Sequence, residues 1–335
     1  MTQNESRIEG FYIGEGSIRT IFFCTLDAGV MVMTMPDIES FHIKRSVHPV
    51  HYVYIHHSII STHMAYHQEA FDHFDTIFCV GPHHIEETRE REKRYGLSPK
   101  ELFDFGYCRL DSILETAKER KGAAGAGPKP LRVLIAPSWG PDGLLETRGE
   151  ALVESLLDEG YYVTVRPHPQ TRRFTPATLD SLFARFRNNI HFDYEENVAS
   201  QESLHASHLM ISDWSGAALE YAFGLERPVL FIDGPRKVNN PEYQKLDAVP
   251  LEVKIREEIG AILPAGRIHE APKYVEHLTA NSTSFSSSIR AARDRWVFHV
   301  GRSASRGAAR IVELADRASA SRGAASSSVA ESFIK

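Results

Sequence analysis

The sequence has few cysteines and no long apolar run. Its three cysteines, Cys24, Cys79 and Cys108, are too widely spaced for a CxxC pair or a zinc motif. A sparse, odd set of this kind is typical of a reducing compartment. No segment approaches the roughly 18 consecutive apolar residues that predict a membrane span, and the polar N-terminus lacks an apolar signal region. These absences predict a cytoplasmic protein and leave open its attachment to the inner face of a membrane.

An excess of basic residues is also missing. The net charge of −6 argues against a general nucleic-acid-binding protein, because such proteins carry surfaces rich in lysine and arginine. The sequence contains no Walker A motif, no GxSxG nucleophile elbow and no HExxH zinc motif. Gly14 and Gly16 begin a possible dinucleotide fingerprint, but Arg19 stands where its third glycine belongs. We therefore predict no NAD site.

What the chain does contain is a regular alternation of short apolar runs and polar helical segments. This alternation predicts strands joined by helices, and hence parallel, doubly wound sheets. The predicted strands are 20–24, 29–33, 52–56, 76–80, 102–105, 132–136, 162–166, 190–192, 209–212 and 229–232, the last of which ends the series. The predicted helices between them are 85–95, 111–118, 150–157, 179–186, 202–206 and 216–223, with Gly224 as the C-cap of the last.

A segment rich in glycine, alanine and proline divides the chain. Residues 121–130 read KGAAGAGPKP and are predicted to be a linker. It separates an N-terminal lobe, 1–120, from a C-terminal lobe, 131–300. A final helix is predicted over 301–318, and the remaining residues, 319–335, are rich in serine and alanine and predicted to be disordered.

Polar residues follow two strands of the second half, where ligands bind in an open parallel sheet. Ser138 lies in the loop APSWG, whose hydroxyl and backbone N–H groups suit phosphate, although an ordinary connecting loop has the same composition. Arg166 and His168 lie in the loop RPHP, which its two prolines stiffen. Arginine grips phosphate oxygens with two hydrogen bonds, and histidine donates to phosphate or transfers a proton.

A third polar segment, SDWSG, joins a strand to a helix. It contains Ser212, Asp213, Ser215 and Gly216, and Glu220 follows about one turn into the helix. Hydroxyls at a helix start can cap the helix and also face an anion. The carboxylate of Glu220 could accept hydrogen bonds from the two vicinal hydroxyls of a ribose. The alternative is an N-cap followed by a solvated glutamate.

Histidines are concentrated after a strand of the first half. His56 follows an apolar strand and is expected to project toward the second lobe, with its neighbour His57 as the competing candidate. His56, His57, His63 and His67 lie close enough in the sequence to suggest a metal site. No acidic partner pattern accompanies these histidines, so we predict no metal. The pair His83-His84 starts a helix and is expected to be a solvated terminus.

Four blocks of the sequence resemble the TagB/TagF-type CDP-glycerol glycerophosphotransferases, which build teichoic acids and related polymers. The resemblance covers roughly residues 52–243. The blocks are GYCRLD at 106–111, IAPSW at 135–139, RPHP at 166–169 and SDWSGAALEYAFGLERPVLFID at 212–233. The resemblance implies a GT-B fold, in which two Rossmann-like α/β lobes with parallel sheets enclose a cleft. It also implies that the C-terminal lobe binds most of a CDP-alditol donor.

Two histidines match residues of that family that are important for catalysis. His56 matches the histidine of a His-Gly pair, with His57 in place of the glycine, and Ser61 stands where a lysine is frequent. His168 matches the second important histidine, in the RPHP-like loop. In the donor segment, Ser212, Ser215 and Glu220 match residues that hold the diphosphate and ribose. Gly216 and Cys108 stand where the family usually has serine and proline.

The resemblance implies transfer of glycerol- or ribitol-phosphate from a CDP-linked donor to a hydroxyl of a glycan or lipid-linked acceptor, in the synthesis of a cell-surface polymer such as teichoic acid or capsule. His56 would act as general base, and Arg166 with His168 would stabilise the diphosphate as CMP leaves. No cofactor is predicted, with Mg²⁺ left open. Peripheral membrane contact is also left open, and nucleic acid is not an expected partner. The alternatives are a GT-B glycosyltransferase that uses a UDP- or CMP-sugar, a nucleotide-sugar epimerase, and a weakly active nucleotide-binding homologue.

Overall fold

The strands of the protein form two parallel sheets. The structure is a computed structural model, and it describes residues 8–14, 16–41, 43–121, 130–197 and 199–332. The first sheet has the order β1-β2-β3-β4, and the second has the order β10-β9-β8-β5-β6-β7. The first contains β1 (Val30–Met33), β2 (His51–Ile55), β3 (Thr76–Cys79) and β4 (Glu101–Asp104). The second contains β5 (Arg132–Ile135), β6 (Tyr162–Val165), β7 (Phe192–Tyr194), β8 (Leu209–Ser212), β9 (Val229–Asp233) and β10 (Gly260–Pro264).

Helices cover both faces of each sheet, which explains why the central strands are continuous apolar runs. Every residue of β3 and of β8 is buried, as expected for strands that pack against helices on both sides. The helices up to residue 186 are α1 (Ser17–Thr25), α2 (Thr62–Ala65), α3 (Pro82–Tyr95), α4 (Cys108–Lys121), α5 (Leu144–Asp158), α6 (Pro169–Phe174) and α7 (Pro176–Phe186). Those after it are α8 (Glu202–Ala206), α9 (Gly216–Leu225), α10 (Leu251–Lys254), α11 (Arg256–Ile259), α12 (Ala271–Ala280), α13 (Ser282–Trp296) and α14 (Ser303–Ser332). None of the helices in the described ranges is long and apolar enough to cross a bilayer.

The first predicted strand, 20–24, is wrong, because this segment belongs to α1. A short apolar run has the composition of either a buried strand or a buried helix, and periodicity over so few residues does not separate them. In α1 only Phe23 is buried, whereas Ile18 and Ile21 remain 74% and 61% exposed. The helix therefore packs through a single aromatic side chain and presents its other apolar residues outward.

The strand series also continues beyond the predicted last strand, 229–232. β10 pairs in parallel with β9 and extends the edge of the second sheet. Its sequence, GAILP, begins and ends with residues that are rare inside strands, so the pattern did not indicate it. A Cβ at Gly260 would overlap the carbonyl of Val229, so glycine allows β10 to start close against β9.

Helices α4 and α9 join the two sheets through one continuous core. Leu110 and Ile113 of α4 pack with Leu219 and Phe223 of α9 in the same buried cluster. Gly224, predicted to cap α9, lies inside this helix instead, and Glu226 is the C-cap with a φ of 56°. A Cβ at Gly224 would overlap Cγ2 of Ile113, so this glycine is needed for the close approach of the two helices.

The C-terminal helix returns to the first sheet. Leu314 packs with Val53, Phe78 and Phe105 in one buried cluster, and Arg310 forms an ion pair with Glu101 of β4. The predicted disordered tail is therefore wrong in part, since α14 extends to Ser332. A segment rich in alanine has a high helix propensity, so its low complexity does not by itself distinguish a helix from a disordered tail. Most of the predicted linker, residues 122–129, lies outside the described residues.

Candidate active site

A cleft of about 720 Å³ opens between the carboxyl ends of the two sheets. Its volume is in the range of small-molecule binding sites. Asp37, His57, Tyr66 and His67 contribute to one wall, and Ser138, Trp139, Arg166, His168, Ser215 and Lys237 contribute to the opposite wall. Among the described residues, no group of three or more His, Cys, Asp or Glu side chains is placed to hold a metal ion.

His168 is the N-cap of α6, and its position defines which ring nitrogen carries the proton. Its Nδ1 accepts a hydrogen bond from the backbone N–H of Gln170 at 3.1 Å, so Nδ1 is unprotonated and Nε2 carries the hydrogen. Burial, with a smaller contribution from the charge of Lys237, lowers the pKa of His168 to about 4. At neutral pH this residue is therefore an uncharged hydrogen-bond donor on the cleft wall.

Arg166 lies beside it, buried at the end of β6. Its guanidinium donates to the carbonyl of Ser200 at 3.1 Å, which orients the side chain along the wall. Burial lowers the pKa of Arg166 from its ordinary value, but an arginine stays charged at any physiological pH. The RPHP loop thus presents one fixed positive charge and one neutral donor to the cleft, and phosphate binding by these groups stays a prediction.

Ser212 and Asp213 do not line the cleft, contrary to the expectation that they contact a donor directly. Both are buried, and the hydroxyl of Ser212 donates to the carbonyl of Ala136 at 2.8 Å. The carboxylate of Asp213 accepts from the backbone N–H groups of Ser138 at 2.7 Å and Trp214 at 2.6 Å. These two residues hold the APSWG and SDWSG loops together, because their side chains point back into the sheet edge.

Ser215 and Gly216 do line the cleft, at the start of α9. The hydroxyl of Ser215 accepts from the backbone N–H of Ala217 at 3.3 Å and so caps the helix. A Cβ at Gly216 would overlap the hydroxyl of Ser58 on the opposite wall. Glycine at this position therefore allows the two walls to approach closely.

Glu220 lines the cleft but already has protein partners on both oxygens. Its Oε1 lies 2.7 Å from the hydroxyl of Tyr107, and its Oε2 accepts from Nε of Arg109 at 2.6 Å. The Tyr107 hydroxyl also lies 2.8 Å from the carbonyl oxygen of His57, so it connects the two walls. Glu220 is thus not a solvated helix residue, and it joins α9 to the N-terminal half.

His56 lies beneath the cleft rather than in it, and its predicted projection toward the second lobe is wrong. The residue is 3% exposed, and its ring contacts that of His84 in a tilted arrangement with ring centroids 3.8 Å apart. Neither ring nitrogen has a hydrogen-bond partner among the described residues. Burial, together with the charges of the neighbouring histidines, lowers the pKa of His56 well below its ordinary value. A ring in this position cannot reach a substrate.

His57 occupies the position expected for His56. Its Nδ1 lies 2.8 Å from the carbonyl oxygen of Thr34, which can only accept, so Nδ1 carries the proton. Its Nε2 then presents a lone pair, 3.3 Å from the hydroxyl of Tyr66. Successive side chains at a strand end point in opposite directions, so only one of the two histidines can face the cleft. The side chain of His57 is exposed and lines the cleft.

His83 and His84 are buried at the start of α3, contrary to the expected solvated terminus. Nε2 of His83 lies 2.8 Å from the carbonyl of Ile59, and Nε2 of His84 lies 3.0 Å from the carbonyl of Ile60. These contacts support the loop that follows His57. His56, His83 and His84 therefore form a packed layer under the cleft wall.

Several cleft residues escaped prediction from the sequence. Arg109 lines the cleft, and its neighbour Tyr107 is buried behind it; both belong to the block GYCRLD, whose resemblance could have indicated them. Lys237 lies in a loop without a recognisable motif, and its ammonium group stands 4.1 Å from the ring centroid of Trp139. Asp37 has a positive φ of 66° and follows β1 in a segment without a motif, so only the fold brings it to the cleft.

The paired parallel sheets, the cleft at their carboxyl ends and the C-terminal helix that crosses back to the first sheet define a GT-B fold. Residues 12–313 match the sequence profile of the CDP-glycerol:poly(glycerophosphate) glycerophosphotransferase family. The chain therefore belongs to this family and is an enzyme, a transferase of that type.

Solved structures of the wall teichoic acid polymerase TagF are similar to this chain. One, a variant soaked with CDPG, has a TM-score of 0.54 at 15% identity, and the match covers 87% of this chain and 73% of that one. Another TagF structure has a TM-score of 0.56 at 14% identity, and the match covers 87% of this chain and 74% of that one. A putative UDP-N-acetylglucosamine 2-epimerase from Listeria monocytogenes gives 0.51 at 13% identity, covering 84% and 74%. At these identities the likeness shows the fold alone. A search of curated proteins finds no match.

Proposed function

We propose that the protein transfers glycerol- or ribitol-phosphate from a CDP-linked donor to a hydroxyl of a glycan or lipid-linked acceptor in cell-surface polymer synthesis. One observation carries this proposal. A histidine with an unprotonated Nε2, His57, faces a wall that presents Arg166 and the Nε2–H of His168 across one cleft. Family membership supports the donor class, and the opposed walls support transfer between two bound substrates.

The reaction that fits this geometry is a single displacement at phosphorus. His57 Nε2 takes the proton of the acceptor hydroxyl, and the acceptor oxygen forms a bond to the outer phosphorus of the donor. The bond from that phosphorus to the bridging oxygen breaks, and CMP leaves with the bridging oxygen. His57 replaces His56 as the proposed base, because only its ring lines the cleft.

The opposite wall supplies the charge stabilisation that phosphoryl transfer depends on. Arg166, the Nε2–H of His168 and the helix start at Ser215-Gly216 would hold the diphosphate as charge moves onto CMP. Glu220 is proposed to accept from the ribose, sharing its oxygens with Tyr107 and Arg109. Ser138 would contribute a hydroxyl beside the phosphates. Ser212 and Asp213 would act indirectly by holding the two loops in place.

A lipid-linked acceptor would bring the enzyme to a membrane, and the N-terminal part offers a surface for it. Ile18 and Ile21 of α1 lie one turn apart on the same helix face and are largely exposed. Phe11, Tyr12 and Phe41 are 77%, 92% and 58% exposed. We propose that these apolar side chains make a peripheral contact with the inner face of the membrane.

A donor panel tests the proposed reaction. Purified protein is incubated with CDP-glycerol, CDP-ribitol, a UDP-sugar or a CMP-sugar, with and without a polyol-phosphate-primed acceptor, in Mg²⁺ and in EDTA. We expect acceptor-dependent release of CMP from a CDP-alditol. Release of UDP from the UDP-sugar would instead identify a glycosyltransferase. Binding of CDP without turnover of any donor would identify a nucleotide-binding homologue.

A further inference from the structure

Lys237 faces the cleft from the loop after β9 and is half-buried on the wall that carries the RPHP loop. Its Nζ lies over the ring of Trp139, 4.1 Å from the centroid, and that ring stacks on Phe174 with an interplanar angle of 17°. A cation held against an aromatic face keeps a defined position while its N–H groups stay available to a ligand. The stacked pair thus provides a platform for the ammonium group.

The two carboxylates that attract Lys237, those of Asp213 and Glu146, accept hydrogen bonds from other residues. Asp213 accepts from the backbone of Ser138 and Trp214, and Glu146 accepts from the hydroxyl of Thr175 at 3.0 Å. They attract the ammonium group through space, and the contacts of the described residues include no hydrogen bond from Nζ to either. The charge of Lys237 is therefore only partly compensated, in a setting that removes much of its hydration.

We infer that Lys237 binds the diphosphate of the nucleotide donor, and that donor affinity consequently falls as the solution becomes alkaline. This inference rests on the proposed function, which supplies the nucleoside diphosphate. A diphosphate would provide the partner that the protein does not, next to Arg166 and the Nε2–H of His168 on the same wall. An ammonium paired with phosphate oxygens forms the stronger, charge-assisted type of hydrogen bond.

The pH range follows from the groups that face this wall. Burial lowers the pKa of Lys237 to about 8, although Asp213 and Glu146 act against that shift. The pKa of His168 is about 4, so His168 is neutral throughout the alkaline range. Arg166 keeps its charge, and the phosphates of CDP have lost their protons by about pH 7. Lys237 is charged below pH 8 and loses its proton above it, so phosphate affinity should decrease about tenfold between pH 7 and pH 9.

Titration calorimetry with CDP at pH 7, 8 and 9 tests this inference on the full chain. We expect Lys237→Met to weaken CDP binding about 10- to 100-fold at pH 7 and to abolish the pH dependence. Arg236→Met is the matched control, because Arg236 is exposed, lies 5.9 Å from the Trp214 ring centroid and does not line the cleft. It should change affinity less than about twofold. Cytidine, which lacks phosphate, should bind equally to all three proteins.

Proton linkage provides a readout that a folding defect would not imitate. At pH 8, binding of CDP to the wild type should take up about half a proton, measured in buffers of different ionisation enthalpy, and Lys237→Met should take up none. Equal affinity of wild type and Lys237→Met, or an equal pH dependence in both, would overturn the inference. If the wild type binds UDP and not CDP, the proposed donor fails instead, and the same comparison with UDP still tests Lys237.

Discussion

At the scale of single residues, adjacent histidines have opposite environments. His56 is enclosed by aromatic rings, and burial keeps it neutral. His57 is exposed and receives its orientation from Thr34, Tyr54 and Tyr66, each of which contacts one of its ring nitrogens. The two residues are adjacent, yet one is structural and the other is a candidate base, because successive side chains at a strand end point in opposite directions.

The first prediction concerns His57. His57→Ala should lower turnover by about 10²- to 10⁴-fold, the usual contribution of a general base. The affinity for CDP should change little, since the donor contacts come from the opposite wall. The measurement is acceptor-dependent CMP release together with CDP binding.

His67→Ala is the control for this variant. His67 also lines the first wall, but its ring contacts Phe41 rather than the Tyr54–Thr34–Tyr66 set. It should retain activity within about tenfold. Full activity in His57→Ala would remove this residue from the mechanism. An equal loss of turnover in His57→Ala and His67→Ala would show that any change in this wall lowers activity, and that His57 has no special role.

At the scale of elements, helix α9 has two duties. Its first turn faces the cleft through Ser215 and Gly216, and its last turn packs against α4 through Gly224. The sequence reads as one well-formed helix and does not distinguish these duties. The packing of α4 against α9 therefore sets both the distance between the lobes and the position of Glu220.

The second prediction concerns Gly224. Gly224→Ala should reduce the free energy of unfolding by about 1–3 kcal/mol, because the added methyl group overlaps Ile113 in a closely packed core. Gly234→Ala is the control, since nothing lies within 4 Å of a Cβ there and its φ is not positive. Urea unfolding measures both. Equal stability of the two variants would show that α4 can move away without cost.

The third prediction concerns α3 and the pH dependence of stability. Burial lowers the pKa of His83 to about 3 from an ordinary value near 6.5. Between these values the unfolded chain binds a proton that the folded chain does not, so stability is complete above about pH 6.5 and decreases as the pH falls. His83→Gln should make this decrease shallower by up to about 1.4 kcal/mol per pH unit.

Urea unfolding at pH 7, 6 and 5 measures the slope. His269→Gln is the control, because the side chain of His269 is 75% exposed. That variant should show the slope of the wild type. A His83→Gln protein with an unchanged slope would mean that the buried ring is protonated in the folded state or that neighbouring groups compensate for its loss.

At the scale of the whole molecule, the apolar surface lies on the N-terminal half and the cleft opens between the halves. The fourth prediction is that Ile18→Glu combined with Ile21→Glu reduces binding to phospholipid vesicles at least tenfold, because each change replaces an apolar contact with a charge. Activity on a water-soluble acceptor should be unchanged. Vesicle flotation measures the binding.

Ile190→Glu is the matched control, because Ile190 is 86% exposed and precedes β7 at the edge of the second sheet. It should bind vesicles like the wild type. If the double variant binds vesicles normally but elutes as a smaller species in gel filtration, the apolar surface is a contact between copies of the chain, and the membrane proposal is wrong.

The amino-acid sequence by itself determined the alternation of strands and helices, the division into two α/β halves and the loops RPHP and SDWSG that border the cleft. These features depend on local periodicity and on short motifs, which neighbouring residues encode together. Several elements, such as α8 and β8, begin and end at the predicted residues. The blocks that resemble the glycerophosphotransferases were also sufficient to indicate the family.

The tertiary structure alone decided which polar residues reach the cleft. It placed His57 rather than His56 in the wall, moved Ser212 and Asp213 beneath it, and brought in Lys237 from a loop without a motif. It also turned segment 20–24 into a helix and made Gly224 a contact point. Each outcome depends on contacts between residues far apart in the chain. Such contacts set side-chain direction and burial, which composition and spacing leave open.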